Sequence, residues 1–599
     1  MSGLASRFTK LNPFTSGSTH EKDDEDFGEE IDDFTVAGGG HSARRTEITQ
    51  HELRVSRALK SFLVDRGVLP ENDAELDSEQ PGTALNALID RPHINVPAEV
   101  SDRSYPLSEY FISSSHNTYL LAHQLTGKSS AEAYRTALNT GARCVEIDAW
   151  DDESNKEEPK VTHGYTLVSH IPFRAVCETI RDVVDKEAVE SRDQQGYRAA
   201  PILLSLENHC GAYGQTRLVQ IMKEVWGDRL LSKAVREKGH AEQEGYDSQV
   251  SLQELGSKIV LIVEYHFPEG LGAAEDPSNS SSSSESDDEE ERRAREDYNA
   301  RKKAAAMTVI VPELAELGVY AQSVKPVDNS WFEDAQMKNG PHDHLINVSE
   351  IQLAAQMPAN NEKIAIHNAK HMMRVYPKGT RISSTNLKPA TFWAIGAQVC
   401  ALNWQTFGAS LQLNEALFSG TEGYVLKPAA LRAGGNGHLN SGKKIKLRLQ
   451  VAGATDIPLP AGRTADDIKP YFTCTLVHPD DRGNEAAKRK TAHYRQHKLG
   501  FVHRGENPPN TDPFWDETLE WEYEDNELAF LRMLVKSDDA FSRNPIFAVA
   551  AVRLMYVERD QWRFVRMLDL HGRESKCTVL LKFSFEEVYR HTALGKAEF

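Results

Sequence analysis

The sequence predicts an α/β protein: a barrel of parallel strands alternating with helices, split in two, then an antiparallel β-sandwich. Three observations carry this. Apolar, strand-like runs around 110–112, 143–149 and 201–206 lead into polar or ionisable residues, as barrel strands do at their carboxyl ends. A serine- and glutamate-rich stretch near residue 285 interrupts the series. From Lys444 onward, many short alternating runs separated by polar loops read as a sandwich.

The elements follow in order. Residues 1–45 are polar, with an acidic cluster from Glu21 to Glu30 and a Gly38–Gly40 run, and are expected to be disordered. A short helical region is placed at 46–104, with helical periodicity over 48–92 (Leu53, Ala58, Leu59, Phe62, Leu63). The first half of the barrel is placed at 105–268 and the second at 308–431. Between them, the acidic insertion at 269–307 has too little apolar surface to fold. The sandwich is placed at 440–590, with strands near 444–451, 471–477, 519–523, 531–535, 546–554 and 579–585.

With 599 residues the chain is long enough for two or three domains. Its longest aliphatic run, Ile259–Val263, is too short to cross a membrane, and Met1–Ser18 lacks the apolar segment of a secretory signal. Six cysteines without paired or metal-type spacing suit a reducing cytoplasm. A net charge of −20 argues against nucleic-acid binding and against membrane attachment through global positive charge. Membrane contact is therefore expected to be local and peripheral, and the protein to be a monomer.

Two strings concentrate the chemistry: Ser114-Ser-His116-Asn117-Thr-Tyr119 and Arg143-Cys-Val-Glu146-Ile-Asp148-Ala-Trp150. Glu146 and Asp148, two apart on a strand, project to one side. Neighbouring carboxylates repel unless a cation lies between them, and such hard oxygen ligands suit calcium. His163 supplies a second histidine, and Glu207 closes another apolar strand. Alone, a Glu-x-Asp is usually a solvated strand face, and a strand-end histidine is usually structural. Several such groups at the ends of consecutive strands point instead to one barrel mouth.

These strings resemble the X region of eukaryotic phosphoinositide-specific phospholipase C, delta-like and in a short form without a pleckstrin-homology domain. The match extends through Leu120, Leu121, Gln124–Gly127, Ser129, Ser130, Ala133 and Tyr134. A Y-like region follows, with His367-Asn368, Arg374-Val-Tyr376-Pro377, Asn403-Trp-Gln-Thr406 and Gly423–Pro428. The resemblance implies a split (β/α) TIM-like barrel with a C2-like sandwich, and calcium-dependent hydrolysis of phosphatidylinositol phosphates through a cyclic phosphate. It implies calcium held by Asn117, Glu146, Asp148 and Glu207, with Glu146 also accepting the attacking hydroxyl's proton. His116 would stabilise the phosphoryl charge, His163 would act as acid and then base, and Arg374, Tyr376 and Asn347 would contact the head group.

Two departures matter. Where the family carries two lysines for the ring phosphates, this strand has Ile262 and Glu264, so preference for the bisphosphate is expected to be weak; Lys370 or Lys378 would be the alternative cations. The C2-like loops have Lys469-Pro470 and Lys536-Ser-Asp538-Asp539 where calcium-binding members are richer in aspartate. The basic run Lys488–Lys490 is read as a solvated loop, with anionic lipid as the alternative contact. Two rivals remain: a catalytically silent phosphoinositide- or inositol-phosphate-binding scaffold on the same fold, and a metal-dependent glycerophosphodiesterase. The scaffold has no need of both histidines and the cation cage; the second has no need of Arg374-Val-Tyr376.

Overall fold

The computed structural model describes residues 36–40, 53–78, 80–121, 124, 128–164, 169–193, 199–236, 249–266, 309–326, 328–333, 337, 340–379, 381, 384–480, 487–497, 506–538 and 545–588. Leu125–Gly127, Asp539, the insertion at 269–307 and most of 1–45 lie outside them. Eight parallel strands make a closed barrel: β1 (Tyr110–His116), β2 (Cys144–Trp150), β3 (Ile202–Asn208), β4 (Ile259–Glu264), β5 (Gln322–Val324), β6 (His344–Ser349), β7 (Met372–Tyr376) and β8 (Val399–Asn403). β1 closes it, pairing with β8 from Ile112–Val399 to His116–Asn403 and touching β2 at Ser114–Cys144. The insertion falls between β4 and β5, which are neighbours through Val263–Gln322 and Glu264–Ser323.

Alternation decides which residues fill the interior. Outward residues such as Val145, Ile147, Leu204, Leu206, Leu261 and Val263 belong to the core beneath the helices. The lower interior is apolar, with Ile112, Leu203, Ala321 and Met372 in one layer and Cys144, Ile262, Leu345 and Val399 in the next. Strand tilt and register put four residues from alternate strands into each layer. Higher up the interior becomes polar: Ser114, Ser205, Ser323 and Arg374 are all buried. Three small serines leave the volume that one arginine occupies.

At the amino ends of β6 and β7, three imidazoles pack together: His344 Nε2 lies 3.0 Å from His367 Nε2, and His344 stacks on His371 at 4.0 Å. Burial pushes His344 from an ordinary 6.5 down to about 4, and holds His367 well below its ordinary value. The unfolded chain therefore binds more protons than the folded one in this range. Stability is fully present above about pH 6.5 and is lost as the pH falls toward 4. The melting temperature is expected to drop across that window, less steeply in His367→Asn; equal slopes would exclude these histidines as the cause.

The carboxyl-terminal domain is one eight-stranded antiparallel sheet whose two four-stranded halves are joined at Val549–Leu568. One joins Ala487–Lys490, Pro470–Val477, Phe530–Ser537 and Ile546–Arg553; the other joins Trp562–Leu568, Glu574–Val588, Lys444–Thr455 and Phe514–Glu524. Lys488–Lys490 is thus an edge strand, not a loop, with Thr473 opposite Lys490. Cationic side chains suit an exposed edge. The strand at 562–568 escaped the sequence pattern because apolar Val565 and Met567 face the sandwich core while Trp562 and Phe564 pack with amino-terminal helices. Phe62, on the helix Arg57–Asp65, meets Trp562 edge-on at 4.9 Å.

Barrel and sandwich share buried surface through the helix Ala409–Phe418: Arg532 Nε donates to Gln412 Oε1 at 2.7 Å, and Tyr556 OH donates to the Leu417 carbonyl. Residues 36–40, inside the stretch expected to be disordered, occupy a slot at this junction. Ala37 N donates to the Trp404 carbonyl at 2.6 Å, and Gly38 N and Gly40 N donate to the carbonyls of His571 and Gly572 at 2.8 and 2.9 Å. A Cβ on Gly39 would lie 2.1 Å from Thr140 Cβ, and one on Gly40 2.1 Å from Glu415 Cγ. Composition signals flexibility here, but space requires the glycines.

Candidate active site

Above the serine layer, Glu146, Glu264 and Asn347 share the next interior level, then His116, Glu207, Lys325 and Tyr376, then Asp148 and Asn403. Asn117 follows β1 with a φ of 44°, left-handed backbone that asparagine tolerates better than most residues. This turn brings Tyr119 back to the mouth, where its hydroxyl lies 2.6 Å from Asp148 Oδ2 and 3.1 Å from Asn117 Oδ1.

Three expected cation ligands converge here. Asn117 Oδ1 and Asp148 Oδ2 share Tyr119, while Asp148, Glu207 and His209 offer ligand atoms all within 4.8 Å of one another. Asp148 is buried, and its Oδ1 has no hydrogen-bond partner. Burial, then the charges of Glu207 and Glu146, raises the Asp148 carboxyl well above the usual range. An orphaned carboxylate oxygen among further oxygens fits a hard divalent cation. Glu146 is placed differently: its Oε1 pairs with Arg374 Nη2, and its Oε2 accepts from the Asn117 backbone N–H at 2.8 Å.

Both candidate histidines are anchored through Nδ1. His163 Nδ1 lies 2.8 Å from the Gln124 carbonyl, which can only accept, so that nitrogen carries a proton. His116 Nδ1 lies 2.8 Å from Asn403 Oδ1. Asn403 Nδ2 donates to the Thr385 carbonyl, which fixes the amide and makes His116 Nδ1 the donor. His116 Nε2 is 3.9 Å from Glu146 Oε2.

Of the expected head-group contacts, Arg374 and Asn347 meet directly, Nη1 donating to Oδ1 at 3.1 Å, and the guanidinium lies 5.6 Å from the Tyr376 ring centre. Ile262 and Glu264 share a face of β4 but not a level. Ile262 is 1% exposed in the apolar core, whereas Glu264 is partly exposed two layers higher, above the serines. Lys370 precedes β7 at the amino end of the barrel, beside Pro106 and Asp343, so it is excluded as a mouth cation. In the sandwich, Asp538 lies 4.0 Å from Lys469 and 3.5 Å from His493, while Arg54 pairs with Asp456 and Asp512. Among the described residues, the cluster at the barrel mouth is the one group of three acidic or imidazole side chains whose ligand atoms all lie within 4.8 Å of one another.

Sequence reasoning missed Tyr119, His209, Lys325 and the anchoring role of Asn403. His209 was accessible from the two-residue period beyond Glu207; its ring also stacks on Trp150 at 4.1 Å. Asn403 and Lys325 depend on strand register around the closed barrel.

Residues 103–265 match the X domain of phosphatidylinositol-specific phospholipase C, and residues 314–430 match its Y domain. The chain is 31% identical over 490 residues to 1-phosphatidylinositol 4,5-bisphosphate phosphodiesterase delta-3-A of Danio rerio, covering 79% of this chain and 56% of that protein. It is 29% identical over 502 residues to the delta-1 enzyme of Homo sapiens, covering 81% of this chain and 61% of that protein. The chain thus spans 56–61% of these relatives' length. The crystal structure of L. pealei PLC21 has a similar fold, with a TM-score of 0.65 at 23% identity over 92% of this chain and 68% of that one. With X and Y halves assembled around one mouth, the chain belongs to the eukaryotic phosphoinositide-specific phospholipase C family.

Proposed function

We propose that the protein is a calcium-dependent phosphodiesterase. It would cleave phosphatidylinositol phosphates at an anionic membrane surface into diacylglycerol and inositol phosphates, through a cyclic phosphate. The carrying observation is Asp148, buried with an orphaned oxygen beside Asn117 and Glu207, in the same mouth as two Nδ1-anchored histidines. Asn117, Asp148 and Glu207 would hold calcium, and Glu146, paired with Arg374 in this structure, would complete the set. Bound there, the ion would acidify the inositol 2-hydroxyl and offset charge on the phosphate oxygens.

Each residue then has a task. Glu146 accepts the hydroxyl proton as the 2-oxygen attacks phosphorus. His116, held by Asn403 through Nδ1–H, donates from Nε2 as the imidazolium to a phosphoryl oxygen as charge grows there. His163, held by Gln124, protonates the departing diacylglycerol oxygen through Nε2, then takes a proton from the water that opens the cyclic phosphate. Arg374, Asn347 and Tyr376 position the inositol ring, since a guanidinium fork suits phosphate and hydroxyl oxygens.

No helix among the described residues is long and apolar enough to cross a membrane. In this reading the protein is a cytoplasmic monomer that docks peripherally, with the local basic edge at Lys488–Lys490 available to anionic lipid. The test is an assay on vesicles of phosphatidylinositol, its monophosphate and its bisphosphate, with calcium or with chelator. Calcium-dependent release of diacylglycerol and inositol phosphates is expected; vesicle binding without turnover would favour the silent scaffold.

Preference for the bisphosphate over the monophosphate should be weak, and Glu264 is where to raise it. Glu264→Lys replaces repulsion with a charge-assisted hydrogen bond and should shift relative turnover toward the bisphosphate by about tenfold. Ile262→Lys places an ammonium in an apolar layer and should chiefly destabilise the barrel. Rates on the three lipids and melting temperatures check both outcomes. A wild-type protein already strongly selective for the bisphosphate would contradict this reading of β4.

A further inference from the structure

The mouth carries Glu146, Asp148, Glu207 and Glu264, while Arg374 is already committed to Glu146 and Asn347. A phosphorylated inositol brings further negative charge to this place, and β4 offers it none of the expected lysines. The strand next to β4 does offer one. β5 is three residues long, and its register is fixed on both sides: Glu264 lies opposite Ser323, and Ile346 opposite Val324. Ser323 is buried in the interior serine layer. Two residues on, Lys325 returns to the same face, level with His116, Glu207 and Tyr376, and is exposed. Across the mouth its positive charge faces the Glu207 carboxylate on β3.

We propose that Lys325 is a specificity-determining residue, whose ammonium binds a phosphomonoester on the inositol ring at the rim of the mouth. This rests on the phosphodiesterase reading above and extends it to the substrate's second phosphate. Position sets the consequence. Glu264 lies one level deeper and repels a phosphate from the floor beside β4, so the cation above it meets the phosphate at the edge of the pocket. One ammonium can serve one phosphomonoester well, so the first ring phosphate should matter more than the second. Phosphatidylinositol, which lacks a ring phosphate, gains nothing from Lys325.

The experiment compares full-length protein with Lys325→Gln and Lys325→Arg. kcat/KM is measured on vesicles of phosphatidylinositol, its monophosphate and its bisphosphate, and affinity for soluble inositol trisphosphate and inositol 1-phosphate is measured by calorimetry. Lys325→Gln should lower kcat/KM on both phosphorylated lipids by about tenfold and leave phosphatidylinositol unchanged. It should weaken the trisphosphate and not inositol 1-phosphate, and Lys325→Arg should restore most of the loss. Unchanged ratios among the lipids would overturn the proposal. So would a changed calcium requirement with unchanged ratios, which would mean that Lys325 only balances Glu207. If no lipid is turned over, the phosphodiesterase reading fails, while calorimetry still decides Lys325: equal trisphosphate affinity in wild type and Lys325→Gln overturns it.

Discussion

Asp148→Asn is expected to abolish calcium-dependent turnover and, at the same time, to stabilise the cation-free protein. The two effects share one cause. Asp148 is buried between Glu207 and Glu146, with one oxygen unpartnered, and its carboxyl is driven well above the usual range. Ionising it therefore works against burial and repulsion, a cost that a bound cation offsets. Asparagine removes the charge and keeps the shape, so the cation-free melting temperature should rise. The calcium-induced rise should vanish, and turnover should fall on the order of a hundredfold or more. Glu146→Gln should also be inactive, but for mixed reasons. It strips Arg374 of its buried partner, and breaking such a pair costs about 3–5 kcal/mol. Asp538→Asn, in a sandwich loop faced by Lys469 and His493, should change neither property. If Asp148→Asn kept its calcium-induced melting shift, the cation would have to lie elsewhere.

His163→Ala should lose both lipid cleavage and hydrolysis of cyclic inositol phosphate, each by roughly a hundredfold or more. A single imidazole gives a proton in the first step and takes one in the second, and a neutral pKa near 6.5 suits both directions. The Gln124 carbonyl fixes the proton on Nδ1 and reserves Nε2 for exchange. A substrate with a more acidic leaving group needs less protonation, so it should partly rescue the first step in His163→Ala. His116→Ala should show no such rescue, because that histidine is assigned to the phosphoryl oxygen. Rates on lipid analogues of graded leaving-group pKa separate the two; equal responses would refute the assignment.

Much of this site was legible because strand residues announce their face. The spacing of Glu146 and Asp148 put both inside the barrel, and Glu207 and His116 followed from their places at strand ends. What the spacing hid was level. Glu146 sits deep enough to pair with Arg374, while Asp148 rises to meet Tyr119 and Glu207. That difference comes from strand tilt around eight strands, a long-range property no local pattern carries. Ile262 and Glu264 repeat the lesson, sharing a face but dividing between an apolar core and a polar mouth. Tyr119 depends on a left-handed turn at Asn117, which the sequence permits but does not announce. At the amino terminus composition misleads, because three glycines signal a loose tail wherever no neighbour is known.

That glycine segment can be understood as a shim. Barrel and sandwich stand apart there by the thickness of one bare peptide, with Trp404 on one wall and His571–Gly572 on the other. Polyglycine is the thinnest spacer a chain can make, and any larger residue must either widen the gap or be expelled from it. The walls are tied together elsewhere by Arg532 and Gln412, so the gap is poorly placed to widen. A side chain at position 39 should therefore eject the tail and leave the two walls where they are. The fit would then be lost as a gasket is lost, with water reaching backbone carbonyls that a strip of glycine had kept dry.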